Sequence, residues 1–121
     1  MSQLPLRVAR ALERFVSHAA SAPAGLDRVV LFGSYARGDF RGDSDIDLLA
    51  LVDRRDPELL DWLYDGVLEA QLRDRVDLSL KVIPRRAYEE MLAQGEPFAG
   101  NVAREGRDLW KRSPATVSAA T

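Results

Sequence analysis

Between Leu31 and Val52 the chain reads LFGSYARGDFRGDSDIDLLALV, and the last eight residues form an apolar run with two carboxylates at its start. A run rich in Leu, Ile and Val suits a strand buried on both faces within a sheet. Asp45 and Asp47 are two residues apart, so on a strand both side chains leave the same face, about 6.6 Å apart along the backbone. Carboxylates in such a strand are costly unless something cationic meets them. Any fold for this chain has to bury the run while leaving its acidic start open to a counter-charge.

The surrounding pattern supplies the partners. Val8, Leu12, Phe15, Val16 and Ala19 make a helical stripe, with Pro5 tolerated in the first turn, and Ser21 to Gly25 breaks it. Arg28 to Phe32 is a short β-branched strand, Tyr35-Ala36-Arg37 makes one helical turn, and residues 38–44 are a loop. Pro57 starts a helix whose apolar face runs from Leu59 to Leu72. In Val76 to Ile83, Val76, Leu78, Leu80 and Val82 point one way and Asp77, Ser79 and Lys81 the other. Pro84 opens a helix through Leu92, Pro97 another ending at Gly106, and Asp108 to Lys111 adds an edge strand. The expected order is α-β-turn-β-α-β-α-α-β, an α/β (α+β) fold with a small mixed sheet flanked by helices. Residues 1–112 form one domain and 113–121 a flexible tail.

Composition narrows the function classes. The chain has 121 residues, room for one domain. Seventeen Lys and Arg oppose 19 Asp and Glu, which argues against a protein that grips nucleic acid by bulk charge. With no cysteine and a single histidine, His18, there is no disulfide scaffold, thiolate site or multi-histidine zinc centre. The longest aliphatic run, Leu48 to Val52, is far short of the roughly 20 residues of a membrane helix. No signal-like segment opens the chain, so a cytoplasmic location is expected. His18 reads as a surface residue, and Trp62, Tyr64 and Trp110 as core or interface aromatics. Arg54-Arg55 and Arg85-Arg86 read as solvated loop or cap charges.

The chemistry concentrates on a few residues. If the strand carrying Asp77 pairs with the one carrying Asp45 and Asp47, three carboxylates converge. They repel one another, and no basic cluster adjoins them in sequence. A hard divalent cation resolves the conflict, and oxygen-only ligation favours Mg²⁺ or Mn²⁺ over zinc. Gly33-Ser34 ends the preceding strand, where glycine allows close backbone approach and a helical turn aims free N–H groups at an anion. A phosphate-accepting turn beside a metal-accepting strand implies a nucleoside triphosphate. Arg37 and Lys81 are candidate phosphate contacts, with a solvent-facing cation as the plain alternative for each.

Gly33-Ser34, ten residues, then Asp45-Ile46-Asp47 resembles the signature of the nucleotidyltransferase superfamily related to DNA polymerase beta. More narrowly, FGSYARGDFRGDSDIDLLALVD is similar to the minimal nucleotidyltransferases, small proteins often paired with HEPN-domain toxins, and EPFAGNVAREGRDLWKR resembles the end of that family. The likeness spans about Val8 to Arg112. It implies a polymerase beta-like fold in which Gly33 and Ser34 grip the triphosphate of ATP. By the same resemblance Asp45 and Asp47 ligate Mg²⁺, two ions about 3.5–4 Å apart, and Asp77 is the third carboxylate, which orients or deprotonates the attacking hydroxyl. The implied activity is transfer of AMP to a hydroxyl of a protein partner, a HEPN toxin tyrosine, in an antitoxin role within a hetero-oligomer. The other reading is a catalytically silent antitoxin that neutralises the toxin by binding alone. No direct contact with nucleic acid or membrane is expected.

Overall fold

The computed structural model describes residues 4–113. Apart from Ser113, the tail expected over 113–121 lies outside the described residues. The elements are α1 (Leu6–Ala20), β1 (Leu26–Phe32), α2 (Ser34–Arg37), β2 (Ile46–Val52), α3 (Pro57–Asp74), β3 (Leu78–Pro84), α4 (Arg85–Ala93), α5 (Pro97–Glu105) and β4 (Arg107–Lys111). Their order is the one the sequence pattern predicts. Two boundaries that matter for the site differ. Asp45 and Asp77 stand one residue ahead of their strands, because the ladder between β2 and β3 begins only at the Ile46–Leu78 pair.

One four-stranded mixed sheet runs in the order β3-β2-β1-β4. β1 is antiparallel to both of its neighbours, while β2 and β3 are parallel. Parallel neighbours need a long crossover, and α3 supplies it. β2 lies inside the sheet with Leu48, Leu49, Ala50, Leu51 and Val52 all buried, as a strand covered on both faces requires.

Alternation then divides the core. Leu48 and Ala50 of β2, with Val29 and Leu31 of β1, face α1 and α3 in a cluster containing Phe15, Leu59 and Leu63. Leu49 and Leu51, with Val30, face α4 and α5 in a smaller cluster with Tyr88, Ala99 and Val102. Asp47 belongs to this second face, by its spacing of two from Leu49.

α1 and α3 are clasped together. The His18 ring stacks on Trp62 with centroids 4.5 Å apart, and its Nε2 lies 2.7 Å from the Trp62 carbonyl oxygen. In return Trp62 Nε1 donates to the His18 carbonyl at 2.8 Å. His18 is therefore half-buried and partnered, not the surface residue its sequence neighbours suggest. Its partner is 44 residues away, beyond the reach of a helical pattern. Trp110 packs against the main core as expected of a core aromatic, whereas Tyr64 is exposed.

Gly66 makes room for the clasp, since a Cβ there would come within 2.5 Å of His18 Cδ2. Gly66→Ala should therefore cost about 1–3 kcal/mol despite its better helix propensity. The check is urea unfolding. The midpoint should fall with an unchanged slope.

Candidate active site

The open end of the second sheet face is where β1 finishes and β2 and β3 begin. β1 delivers Phe32 and Gly33, and Phe32 pairs directly with Asp47. On β3, Ser79 pairs with Asp47 and Lys81 with Leu49, so Ser79 and Lys81 share the face of Asp47, while Asp77 stands just ahead of the strand. Asp45 and Lys81 both act on the Asp47 charge at this surface, with Ser79 beside them. Gly33 and Ser34 meet it from β1.

Gly33 is fitted to Asp47. Its φ is +77°, a region that L side chains rarely adopt, and a Cβ placed there would stand 3.0 Å from Asp47 Cγ and collide with Oδ2. The Asp47 carboxylate occupies the space that a side chain at Gly33 would need. Immediately after it, Ser34 begins the one-turn helix α2, and Ala36 and Arg37 both donate backbone N–H bonds to the Gly33 carbonyl at 3.1 Å. Tyr35 anchors this turn. It is buried, stacks on Phe40 at 4.5 Å, and its hydroxyl donates to the Arg41 carbonyl at 3.5 Å. Ser44 closes the loop by accepting from the Arg41 N–H at 2.8 Å through its hydroxyl. The chain then enters Asp45 in a fixed direction.

The Asp77 segment is held from two sides. α3 ends on Arg75 at φ 54, whose N–H donates to the Gln71 carbonyl at 3.0 Å. The Gln71 side chain then accepts from the Leu78 N–H at 3.0 Å, and the Asp77 carbonyl accepts from Ile46 N at 2.8 Å. Asp77 is exposed, beside a small cavity of about 50 Å³ that Arg7, Arg75, Asp43 and Ser44 also line. Among the described residues no three Asp, Glu, His or Cys side chains close into a metal-holding group. Asp45 and Asp47 interact, and Asp77 joins them in no such group.

Electrostatics single out Asp47. Partial burial pushes its carboxyl above the usual range, the nearby Asp45 charge adds to this, and Lys81 and Arg37 pull the other way. Both cations therefore act on the Asp47 carboxyl. Arg37 is tethered meanwhile, with Nε 3.1 Å from Asp39 and an Nη 3.3 Å from Glu105 on α5. Lys81 lies 5.9 Å from the centre of the Phe98 ring, which meets Phe32 edge to face at 5.4 Å. Gln71, Glu105 and Phe98 escape sequence reasoning, because each reaches the site from an element whose packing is decided elsewhere. The oxygen-only donors and the repulsion weighing on Asp47 fit a hard divalent cation.

Comparison with known proteins follows the same lines. The sequence pattern of the nucleotidyltransferase domain matches residues 10–97. A Methanocaldococcus jannaschii protein named as a protein adenylyltransferase is 31% identical over 102 residues, covering 84% of this chain and 96% of that one. A second from the same organism is 70% identical over 27 residues, only 27% of its own length. Protein adenylyltransferase MntA of Thermococcus cleftensis is 44% identical over 59 residues, covering 47% of this chain and 58% of that protein. Among solved structures, a toxin-antitoxin complex with AMP-PNP superposes with a TM-score of 0.58 at 21% identity, covering 88% of this chain and 78% of that one. A Sulfolobus solfataricus protein described as a nucleotidyltransferase gives 0.53 at 22% identity, covering 93% of each chain. At such identities the structural likeness speaks for the fold.

Because the folded-state value of Asp47 is raised, its proton is held more tightly in the native state. Stability therefore falls as pH rises through the carboxylate range, and the deficit is complete at neutral pH. In chelator, Asp47→Asn should raise Tm at pH 7 by on the order of 2–4 °C. The gap should close below about pH 3.9, where both states are protonated. Thermal melts at the two pH values check it.

Proposed function

The chain belongs to the nucleotidyltransferase family, as one of its minimal members, and from that premise we propose that it moves AMP from ATP to a hydroxyl of a protein partner. The partner in this reading is a HEPN-domain toxin, the acceptor a tyrosine, and the role that of an antitoxin. Relatives named protein adenylyltransferase, over 84% of the chain in one case, support the activity class. The resemblance of the FGSYARGDFRGDSDID segment to proteins paired with such toxins supports the partner, as does the toxin-antitoxin MntA-HpeT complex that shares the fold.

The observation that carries the reading is the contact of Gly33 with Asp47. It sets a glycine turn suited to phosphate directly against an acidic pair suited to a cation. Asp45 and Asp47, with Asp77 as third donor, would hold Mg²⁺ (Mn²⁺ by the same chemistry), which neutralises charge on the triphosphate and the leaving pyrophosphate when bound. Gly33 and Ser34 receive the β- and γ-phosphates through backbone N–H groups and the serine hydroxyl. Arg37 and Lys81 add positive charge on the flanks. The acceptor hydroxyl attacks the α-phosphorus in line, its proton passes to Asp77, and the bond to pyrophosphate breaks. Little covalent work falls to the protein, so positioning and charge neutralisation carry the rate.

The same fold serves a second reading, in which the chain silences its partner by covering it. Incubation with the toxin, ATP and Mg²⁺, followed by intact mass measurement, decides between them. The expected result is a gain of one or more AMP masses on the toxin, lost with Asp45→Asn or Asp47→Asn while both variants still fold. An unchanged toxin mass alongside full neutralisation on mixing would replace the transferase with a binding module.

A further inference from the structure

The two arginine pairs that look like scattered loop charges in sequence are brought together by the fold. Arg54 and Arg55 follow β2, and Arg85 and Arg86 follow β3. Since β2 and β3 are parallel and in register from Ile46–Leu78 to Val52–Pro84, both pairs emerge at the same end of the sheet. That end is opposite the one carrying Asp45 and Asp77. Seven strand residues separate the two ends, about 20 Å.

The four arginines line a cleft of about 600 Å³, closed by Asp53, Pro84, Ala87 and Glu90. All four are exposed. Among the described residues, none of their guanidinium groups lies within ion-pair distance of a carboxylate. Asp53 does not neutralise them, because it is taken by Arg112 at 2.6 Å. Arg55 is fixed in place by donating to the Val82 carbonyl, which steers it across the strand ends. Arg85 and Arg86 occupy the first turn of α4, which contains no acidic residue. Cations there oppose the helix dipole, so helix stability does not account for them. Four like charges converge at a cost, on a chain that is otherwise acidic enough to carry a net charge of -2.

We propose that this cleft docks an acidic segment of a partner protein, with successive Asp or Glu carboxylates received by the four guanidinium groups. Arginine pairs carboxylates in bidentate fashion, and charge complementarity is what the cleft offers. A polynucleotide fits it less well. Among the described residues no aromatic side chain lines the cleft for a base to stack on, and the chain as a whole is net acidic, which repels a long polyanion. The surface stands apart from the nucleotide end of the sheet, so it adds a contact that the transferase chemistry does not require.

The test uses a fluorescein-labelled octaglutamate peptide and fluorescence anisotropy at about 50 mM salt, where exposed charge pairs are weakly screened. The wild-type chain should bind the peptide. Arg85→Ala/Arg86→Ala should weaken binding by at least about tenfold, the loss of a single charge-assisted contact or more. Arg54→Glu, on the other loop, should do the same, and neither variant should melt below the wild type. Absence of peptide binding, or equal binding by the variants, overturns the proposal. So does tighter binding of a single-stranded RNA octamer, which assigns the cleft to nucleic acid, or full displacement of the peptide by equimolar inorganic phosphate. No nucleotide enters the readout, so failure of the transferase reading leaves this result standing.

Discussion

The structure turns on the contact between Gly33 and Asp47. A strand buried on both faces has no place for a carboxylate along its length, so the charge must sit where the covering helices stop. Gly33 supplies that place. Its missing Cβ lets the end of β1 close against the Asp47 oxygen, and its positive φ turns the chain at once into α2. One residue thus ends a strand, shelters a carboxylate and begins the turn that would meet phosphate. Any side chain at Gly33 would have to displace the acid it faces, which couples the two halves of the site mechanically.

Topology does the rest. Because β2 is antiparallel to β1 but parallel to β3, the end of β1 and the starts of β2 and β3 fall at one edge of the sheet. A hairpin between β2 and β3 would have carried Asp77 to the far edge. The 18-residue helix α3 returns the chain to the starting edge instead, and the Gln71 side chain ties the helix end to the first residue of β3. The third carboxylate therefore depends on a helix whose packing is settled by Leu59, Leu63 and the His18–Trp62 clasp, well away from the chemistry.

These relations explain which parts were legible in the sequence. The elements were, because the 3.6-residue stripe of α1 and the two-residue alternation of β3 are local signals. The candidate residues were, because Gly33, Ser34, Asp45 and Asp47 lie within fifteen residues, on elements whose periodicity gives their direction. The partners were not. Glu105 reaches Arg37 across 68 residues, Trp62 reaches His18 across 44, and Arg112 reaches Asp53 across 59. Such contacts are decided by how elements dock, and a charged or aromatic side chain in isolation reads the same whether exposed or partnered. The arginine pairs belong to this class: each is unremarkable until a parallel register aligns them.

Seen as one unit, β2 and β3 carry opposite charge at their two ends, and under the two proposals above this asymmetry would separate two ways of handling an anion. At the start of the strands the acidic Asp45, Asp47 and Asp77 would repel a phosphate, so the proposed binding there would require a cation that both parties can share. At the other end Arg54, Arg55, Arg85 and Arg86 need no intermediary. Were the clusters adjacent, each would neutralise the other, as Arg112 does Asp53, and neither would hold a ligand. About 20 Å of buried strand, longer than the Debye length of roughly 8 Å at physiological salt, keeps their exposed charges from acting on one another through solvent. The apolar residues that make β2 a core strand, Leu48 to Val52, therefore also separate the acidic and basic surfaces at its two ends.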